Sequence, residues 1–509
     1  MNKIQYLVIF TIIVFATAAN ASVNISPGSS FYEDLDVLVS KGVIESSLSS
    51  TKPFTRAEAG RLVAEAITRA GTEESSPCEA LLETLSKEYK DEIAEAVEPG
   101  SGPGTFIKPL ESFSVVYNYL NGPCSVFNNE GIAYYDGHNA MAGFESRGEL
   151  WNVFSFYVQP VVLYNQRLDN VDGNDDTVVR LQKGYVKFHA GNFEIEAGRD
   201  SLWWGPGYHG SLLLSNNARP FDMIKLSNPR GTLLPWILSS LGPFRYNLFL
   251  AELDGDPQSG HPPDSKLLGA RIDLKPHPLM EFGMSYLAHF GGDRPGIDSL
   301  GFSDYVDIIL SNECRDGDRR DSNKEFAVDV AVTIPHVDRF LPVAESVKLY
   351  AEWGAEDAGY PPDKRAYILG MALYDFFTID GLTVRAEYAD ISPESGAGSW
   401  YTHSFWPMEY YGNVFGHHAG SDSDDIFLGL SHRLTDCFSY EIGFDRERSG
   451  LSLADTQEKH QYFLKAGFKM SELLRFTLRY AYETIDNYEN IKDQRQRNHF
   501  LGTEITWDF

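Results

Sequence analysis

A change of hydrophobic period constrains this chain more than any other feature. Beyond residue 105 apolar side chains recur at every second position. Leu474, Phe476, Leu478, Tyr480 and Tyr482 alternate with Arg475, Thr477, Arg479, Ala481 and Glu483. Leu382, Val384, Ala386 and Tyr388 alternate with Thr383, Arg385 and Glu387, and Phe438, Tyr440, Ile442 and Phe444 with Ser439, Glu441, Gly443 and Asp445. A strand sends successive side chains to opposite faces, so each segment has one apolar and one polar face. In a soluble sandwich the apolar face turns inward onto a second sheet. In an outer-membrane barrel it turns out to lipid, and the charged face lines the lumen. No run of about 20 apolar residues follows the N-terminus, which excludes a helical membrane protein.

Connection lengths choose between the two architectures. Residues 189–192, 275–278, 377–381, 435–436 and 470–473 are short turns. Between them lie long polar connections at 165–177, 254–266, 291–324, 356–365, 390–425, 447–461 and 484–498. Strict alternation of short and long is the mark of a barrel with turns on one rim and loops on the other. The phasing predicts an all-β transmembrane barrel of about 18 strands over 106–509, with both chain ends on the periplasmic side. Leu501, Thr503, Ile505, Trp507 and Phe509 share one face of the last strand, a pattern that resembles the terminal signal read by the barrel-assembly machinery.

The residues before the barrel divide in three. Residues 1–21 have a basic Lys3, an apolar run from Tyr6 to Ala18 and an Ala19-Asn20-Ala21 site, so they read as a secretory signal peptide. Residues 22–98 have helical period. Leu35, Leu38 and Val39 make a stripe that stops at Gly42. Thr55 to Glu58 is a capping box, and Leu82, Leu85, Tyr89, Ile93 and Val97 predict one further helix. The Gly/Pro-rich stretch 99–105 reads as a linker. Tyr32-Glu-Asp-Leu-Asp-Val-Leu, Gly42-Val-Ile and Pro53-Phe-Thr-Arg-Ala-Glu58 resemble a single S-layer-homology module. That resemblance implies binding to peptidoglycan or another cell-wall polymer; a plain periplasmic helical cap is the alternative.

Charge and cysteines narrow the partners. Lys and Arg total 43 against 72 Asp and Glu, a net charge of -29, which repels phosphate backbones and excludes nucleic acid. Disulfide Cα atoms lie within about 7 Å, whereas the apolar band of a barrel is about 25 Å tall. Cys124 and Cys314 fall on external loops, and Cys78 and Cys437 on the periplasmic side. The permitted disulfides are therefore Cys124–Cys314 and Cys78–Cys437; the alternative is buried thiols. The absence of a C-x-x-C pair argues against a thiolate metal site.

Catalysis finds no support. G-x-S-x-G, H-E-x-x-H and the phosphate-binding G-x-x-x-x-G-K are missing. Glu194, Glu196, Glu387 and Glu441 read as lumenal partners of Arg199, Arg271, Arg385 and Arg479 rather than as paired acids. His417-His418 read as exposed polar loop residues rather than metal ligands.

Two segments stand apart. Gly198-Arg-Asp-Ser-Leu-Trp-Trp-Gly-Pro-Gly-Tyr-His-Gly-Ser-Leu-Leu-Leu-Ser-Asn-Asn-Ala-Arg-Pro-Phe221 leaves a clear strand and is too rich in Gly, Pro, Asn and Trp to face lipid. Residues 400–422 form an external loop dense in aromatics, which must be hidden or used. Trp204-Gly-Pro-Gly and Leu213-Leu-Ser-Asn-Asn-Ala-Arg-Pro220 resemble the signature of the Wzi capsule-assembly family. Tyr401-Thr-His403 and Tyr411-Gly-Asn-Val-Phe-Gly-His417-His-Ala-Gly-Ser-Asp422 resemble its second block, with an altered lead-in. The resemblance implies an 18-stranded outer-membrane barrel acting as a lectin that retains capsular or exopolysaccharide.

Sugar chemistry fits these loops. Trp203, Trp204, Tyr208, Trp400, Tyr401 and Tyr411 offer flat faces to the C–H faces of sugar rings. Asn216, Asn217, Arg219, His403, His417 and Asp422 complete the candidate set, with donors and acceptors for hydroxyls and carboxylates. The competing reading is that the same groups satisfy a plug folded into the lumen. The acidic chain implies a neutral polymer or Ca²⁺ bridging to an acidic one. A porin anchored by its helical module is the alternative function, since a barrel of this size is wide enough for a channel.

Overall fold

A computed structural model describes residues 21–71, 78–165, 177–255, 260–294, 300–310, 319–340, 342–356, 364–392 and 400–509. The predicted signal segment lies outside these residues except for Ala21, and Cys314 lies outside them.

Eighteen antiparallel strands close into one barrel. They are β1 Phe106–Asn121, β2 Gly137–Leu150, β3 Phe154–Tyr164, β4 Thr177–Ala190, β5 Phe193–Asp200, β6 Phe221–Ser227, β7 Pro243–Leu253, β8 Ser265–His277 and β9 Met280–Gly291. They continue as β10 Ser322–Ile334, β11 Ser346–Glu356, β12 Lys364–Tyr374, β13 Leu382–Asp390, β14 Ser423–Thr435, β15 Phe438–Ser449, β16 Gln457–Ser471, β17 Leu474–Asp486 and β18 Arg495–Asp508. Closure is made by β1 and β18, with Val115 opposite Ile505. The apolar face points outward: Val186 and Ile224 are 58% and 63% exposed, while the side chains of Lys187 and Lys225 beside them are 0% and 2% exposed. That contrast decides for a lipid-facing barrel over a sandwich.

The connections alternate between two rims, but the expected alternation of short with long is not strict: 228–242 and 335–345 on the turn rim are longer than 357–363 and 450–456 on the loop rim. Strands β15 to β18 run further than their composition suggests, leaving 450–456 and 487–494 as the connections between them. Beyond the apolar band polar cross-strand pairs hold the ladder, with Arg446 on Glu458 at 2.6 Å and Arg448 on Asp424 at 2.8 Å. On the short-turn rim, 228–242 carries a 3-10 helix, Trp236–Leu241. Its Trp236 is exposed together with Trp151, Phe340 and Phe377 on neighbouring turns, an aromatic girdle suited to a membrane interface.

The helical segment contains α1 Phe31–Ser40, α2 Arg56–Ala70, α3 Glu79–Glu88 and α4 Lys90–Val97. Gly42 takes φ +74°, the left-handed position that ends α1. Half of the expected capping box forms. Thr55 Oγ1 accepts from the Glu58 amide at 3.1 Å, but the Glu58 carboxylate turns to Arg61, and Thr55 instead bridges to the backbone of Asn24. The single helix expected over 79–97 breaks at Tyr89, whose ring is buried against Phe31 and beneath the Arg56 guanidinium. The break lets α4 cross α2 at Gly60, where a Cβ would collide with the backbone of Glu92.

Residues 22–55 of this segment plug the lumen, so it is no body hung on 99–105 alone. Thr51–Lys52 pairs antiparallel with Trp203–Trp204 inside the lumen. Asn24 donates to Glu196 and Asp200 at 2.8 and 2.7 Å, and Thr51 to Asp273 at 2.6 Å. The Ser49 and Ser50 amides reach Glu281, and Lys348 holds Asp36 at 2.9 Å. Lys41 binds Asp375 and Glu345, and Arg433 binds Asp34. The expected ladder of carboxylates and arginines forms only in part, because many lumenal charges serve as anchors for the plug.

Asp34 gives the docking a pH dependence. Burial pushes its carboxyl up to about 6, against the pull of Arg433. A carboxyl raised above its unfolded value of about 4 contributes stability that is complete below that value and is lost as pH rises through 6. Asp34→Asn is therefore expected to raise the melting temperature in detergent at pH 7.5 and to leave it unchanged near pH 4. A lower melting temperature at pH 7.5 would show that the ion pair outweighs the burial.

No disulfide joins Cys78 to Cys437. Cys78 is buried in the helical core and Cys437 is exposed in the turn between β14 and β15, so the permitted pairing does not form. Burial pushes the Cys78 thiol up to about 11 and drives Cys124 higher still. Since the thiolate is the reacting form, maleimide is expected to label Cys437 in the native protein and to spare Cys78 and Cys124 until denaturation. Peptide mass mapping reads the order; early labelling of Cys78 would mean an undocked plug.

Candidate functional site

Strands β5 and β6 stop short of the long-loop rim, and 201–220 leaves the wall and folds into the lumen. The turn opens at Gly205, whose φ of +141° only glycine adopts readily and whose amide reaches the Ser50 carbonyl at 2.8 Å. Trp204 then pairs back to Leu214. From the wall, Glu387 accepts the amides of Tyr208, His209 and Gly210 at 2.8, 3.1 and 3.0 Å, together with the Tyr350 hydroxyl at 2.6 Å. A buried carboxylate needs such donors, so Glu387 pins the inward loop.

Two more loops lock onto it. From 391–422, Phe415 O accepts the Ser215 amide at 2.8 Å. The Tyr401 hydroxyl donates to Leu212 O at 2.6 Å and accepts the His417 amide at 3.1 Å. From 122–136, the amides of Glu130 and Gly131 donate to the carbonyls of Asn216 and Asn217. Asn128 Nδ2 donates to His209 O, and Asn217 Nδ2 to Val414 O. A core of Trp204, Leu212, Leu213, Phe221, Phe249, Trp400, Tyr401 and Phe415 fills the centre.

The candidate sugar-binding residues therefore divide. Trp203, Trp204, Asn216, Asn217, Trp400, Tyr401 and His417 are buried and build the plug. They present no face to a polymer. The physical reason is lumen size: wall side chains cannot fill a barrel this wide, so loops supply the apolar mass. Asp422 receives the Ser452 amide and hydroxyl and fixes the 450–456 loop. Tyr208 lies beneath the Arg385 guanidinium and donates to Glu441 at 2.9 Å. Half-buried His403, Arg219 and Tyr411 remain near the surface, with Arg219 3.6 Å over the Tyr411 ring. Beside His403, Arg294 lies 4.1 Å over Phe405, which is 42% exposed. Arg294 was not among the sequence candidates, and nothing local marks it.

His417 and His418 overturn the expectation of exposed polar residues. Their side chains are 0% and 2% exposed, they stack on each other, and Phe127 stacks on His418 at 4.0 Å. Burial and the facing His209 push the His417 imidazole down to about 3. Gly210 makes room, since a Cβ there would strike the His417 ring.

Comparisons with known proteins accord with this architecture. The chain matches 25% identically over 231 residues, 45% of its length, an "Uncharacterized 55.8 kDa protein in cps region" of Klebsiella pneumoniae. The match spans 42% of that relative's length. The solved structure of Wzi from Escherichia coli superposes with a TM-score of 0.71 at 17% identity, over 96% of this chain and 99% of that one. It is described as an outer-membrane protein involved in group 1 capsule assembly and a carbohydrate-binding β-barrel. OprD of Pseudomonas aeruginosa aligns at 10% identity over 80% of this chain and 95% of its own, with a TM-score of 0.45, a likeness too slight to argue from. The family model "Capsule assembly protein Wzi" matches residues 121–500, which takes in the inward loop, the second aromatic loop and nearly the whole barrel wall. The chain is an outer-membrane β-barrel of the Wzi capsule-assembly family.

Proposed function

We propose that this chain is a non-enzymatic, plugged outer-membrane barrel that attaches or retains capsular or extracellular polysaccharide at the cell surface. The observation that carries the reading is the dry middle of the lumen. Arg271, Asp273, Asp329, Lys187, Glu194, Glu196 and Lys225 point inward from the wall with side chains at most 2% exposed. In an aqueous channel these charges would be hydrated, so their burial disfavours the porin reading. With the lumen filled, the long-loop rim is the working surface. It faces the exterior, while residues 22–98 sit at the periplasmic end, where a signal cleaved before Ser22 delivers them. Peptidoglycan binding and handling by the barrel-assembly machinery belong to the same reading.

The polymer-contact surface is the accessible remainder of the candidate set, His403, Arg219 and Tyr411, extended by Phe405 and Arg294. Aromatic faces beside guanidinium groups suit sugar rings that carry hydroxyls or carboxylates. The net charge of -29 makes retention of an acidic polymer dependent on Ca²⁺, and retention of a neutral one indifferent to chelation. Deletion of the gene is expected to move polysaccharide from the cell-bound to the released fraction, and equal retention with and without it would sink the lectin reading. Planar-bilayer recording of the purified protein is expected to show a closed barrel; large, steady conductance would return the porin.

A further inference from the structure

We propose that His209, His418, Asp425 and Asp445 bind one divalent first-row transition-metal ion, Zn²⁺ fitting best, which pins both inward-folded loops to the barrel wall. One ligand atom from each of the four lies within 4.8 Å of all the others. His209 Nε2 stands 3.5 Å from Asp425 Oδ2 and 3.5 Å from Asp445 Oδ1, and His418 Nε2 stands 3.6 Å from Asp425 Oδ2. These separations are long for hydrogen bonds. These three of the six separations are close to the edge of a tetrahedron, because an ion ~2.1 Å from each ligand holds neighbouring ligands ~3.4 Å apart, and the widest pair lies within 4.8 Å.

Burial makes the cluster unusual. The side chains of His209, His418, Asp425 and Asp445 are 6%, 2%, 2% and 0% exposed. His209 Nε2, both nitrogens of His418, Asp425 Oδ1 and both oxygens of Asp445 nevertheless make no well-formed hydrogen bond among the described residues, although Asp445 lies close to Asp425 as well as to His209. Buried polar atoms are rarely left so, and a converging set of them is what an ion would satisfy.

Charge points the same way. Of the nearby groups, Lys459 lies 2.6 Å from Glu447 and 3.6 Å from Asp445, so its charge is largely taken by Glu447. Two buried carboxylates then face imidazoles, and one divalent cation balances them. The donor set of two imidazoles and two carboxylates suits Zn²⁺, whereas Ca²⁺ takes six to eight oxygens. The site is closed on all sides, with Phe127 stacked on His418 and edge-on to His209. His417 stands behind it, its Nε2 3.7 Å from Asp425 Oδ2. The ligands come from the 201–220 loop, the 391–422 loop, β14 and β15. The ion would therefore be structural, and the inference stands apart from the polysaccharide reading.

Full-length protein in detergent, stripped with EDTA and returned to chelator-free buffer, provides the test. CoCl₂ is expected to bind at one ion per chain with the visible bands of tetrahedral Co²⁺, and ZnCl₂ to raise the melting temperature reversibly. Zinc-edge X-ray absorption of the reloaded protein is expected to show two imidazoles with oxygen ligands. Asp445→Asn and His418→Gln should each weaken Co²⁺ binding on the order of 100-fold. Each variant is scored after heat-modifiable gel migration has shown its barrel closed. If neither closes, the absorption spectrum of the wild-type protein decides. No uptake, a spectrum without imidazole, a response to Ca²⁺ alone, or unchanged affinity in both closed variants overturns the site.

Discussion

Replacing Arg271 by Leu is expected to lower the stability of the docked plug by about 3–5 kcal/mol, the cost of stranding buried charges. The guanidinium has no solvent exposure and holds Asp273 at 2.8 Å and Asp329 at 2.7 Å. It also donates to Ser285 at 2.7 Å and to the hydroxyl of Thr51 at 2.5 Å. Thr51 belongs to the short strand that meets Trp203–Trp204, so one side chain ties β8, β9 and β10 to the N-terminal segment and, through it, to the inward loop. Leucine has similar bulk but leaves two carboxylates uncompensated. The test is the midpoint of thermal unfolding in detergent, together with protease cleavage within 22–55. Arg271→Leu combined with Asp273→Asn and Asp329→Asn should recover much of the loss, because the penalty lies in unpaired charge rather than missing contact. An unchanged midpoint in the single variant would mean that water reaches these carboxylates, and with it the argument for a dry lumen would fall.

What could be read from the residues was whatever local periodicity encodes. Val186 beside Lys187, or Leu428 beside Gly429, fixes which face meets lipid, and the phase of turns and loops then fixes the rims. The helix stop at Gly42 and the Thr55 cap are equally local. What the lumen holds is decided by contacts between residues far apart in the chain, such as Lys41 with Asp375 or Asn24 with Asp200. No spacing rule reports these. The burial of the aromatic loops escapes local pattern for a related reason. Loops ordinarily lie on surfaces, so Trp400 and Tyr401 suggested a binding platform. A wide barrel, however, has an interior that its own wall cannot fill. The burial of the adjacent histidines is equally illegible, since Asp425, which both face, stands on the lumenal face of a strand whose alternation reveals only direction. A clue was nonetheless present, because glycines stand at 210 and 416, where the two loops approach each other.

Gly416→Ala tests that clue, and its effect is expected to rival that of Arg271→Leu. A Cβ at this position would lie on the carbonyl oxygen of Leu212 and against the hydroxyl of Tyr401, the same pair joined by a hydrogen bond. The obstacle is backbone held between Trp204 and Ser215, so it cannot swing aside as a flexible side chain would. Overpacking of a filled core costs about 1–3 kcal/mol and more where the backbone must shift; Gly416→Ala is placed at or above the top of that range. It would part the two loops, open the Ser215 hydrogen bond to Gly416 O and expose the cleft between them to protease. Gly420→Ala is the control. Its φ is +72°, but no atom of the described residues lies within 4 Å of the added methyl, so only backbone strain of about 1–2 kcal/mol applies. Both variants should still close their barrels, since β13 and β14 are untouched, and both should show the shift between boiled and unboiled gel migration. They should differ in protease sensitivity over 400–420 and in the unfolding midpoint, with Gly416→Ala the more impaired. Equal behaviour of the two would show that the inward loops touch loosely, and that the conformational freedom of glycine, rather than close approach of backbones, is what these positions require.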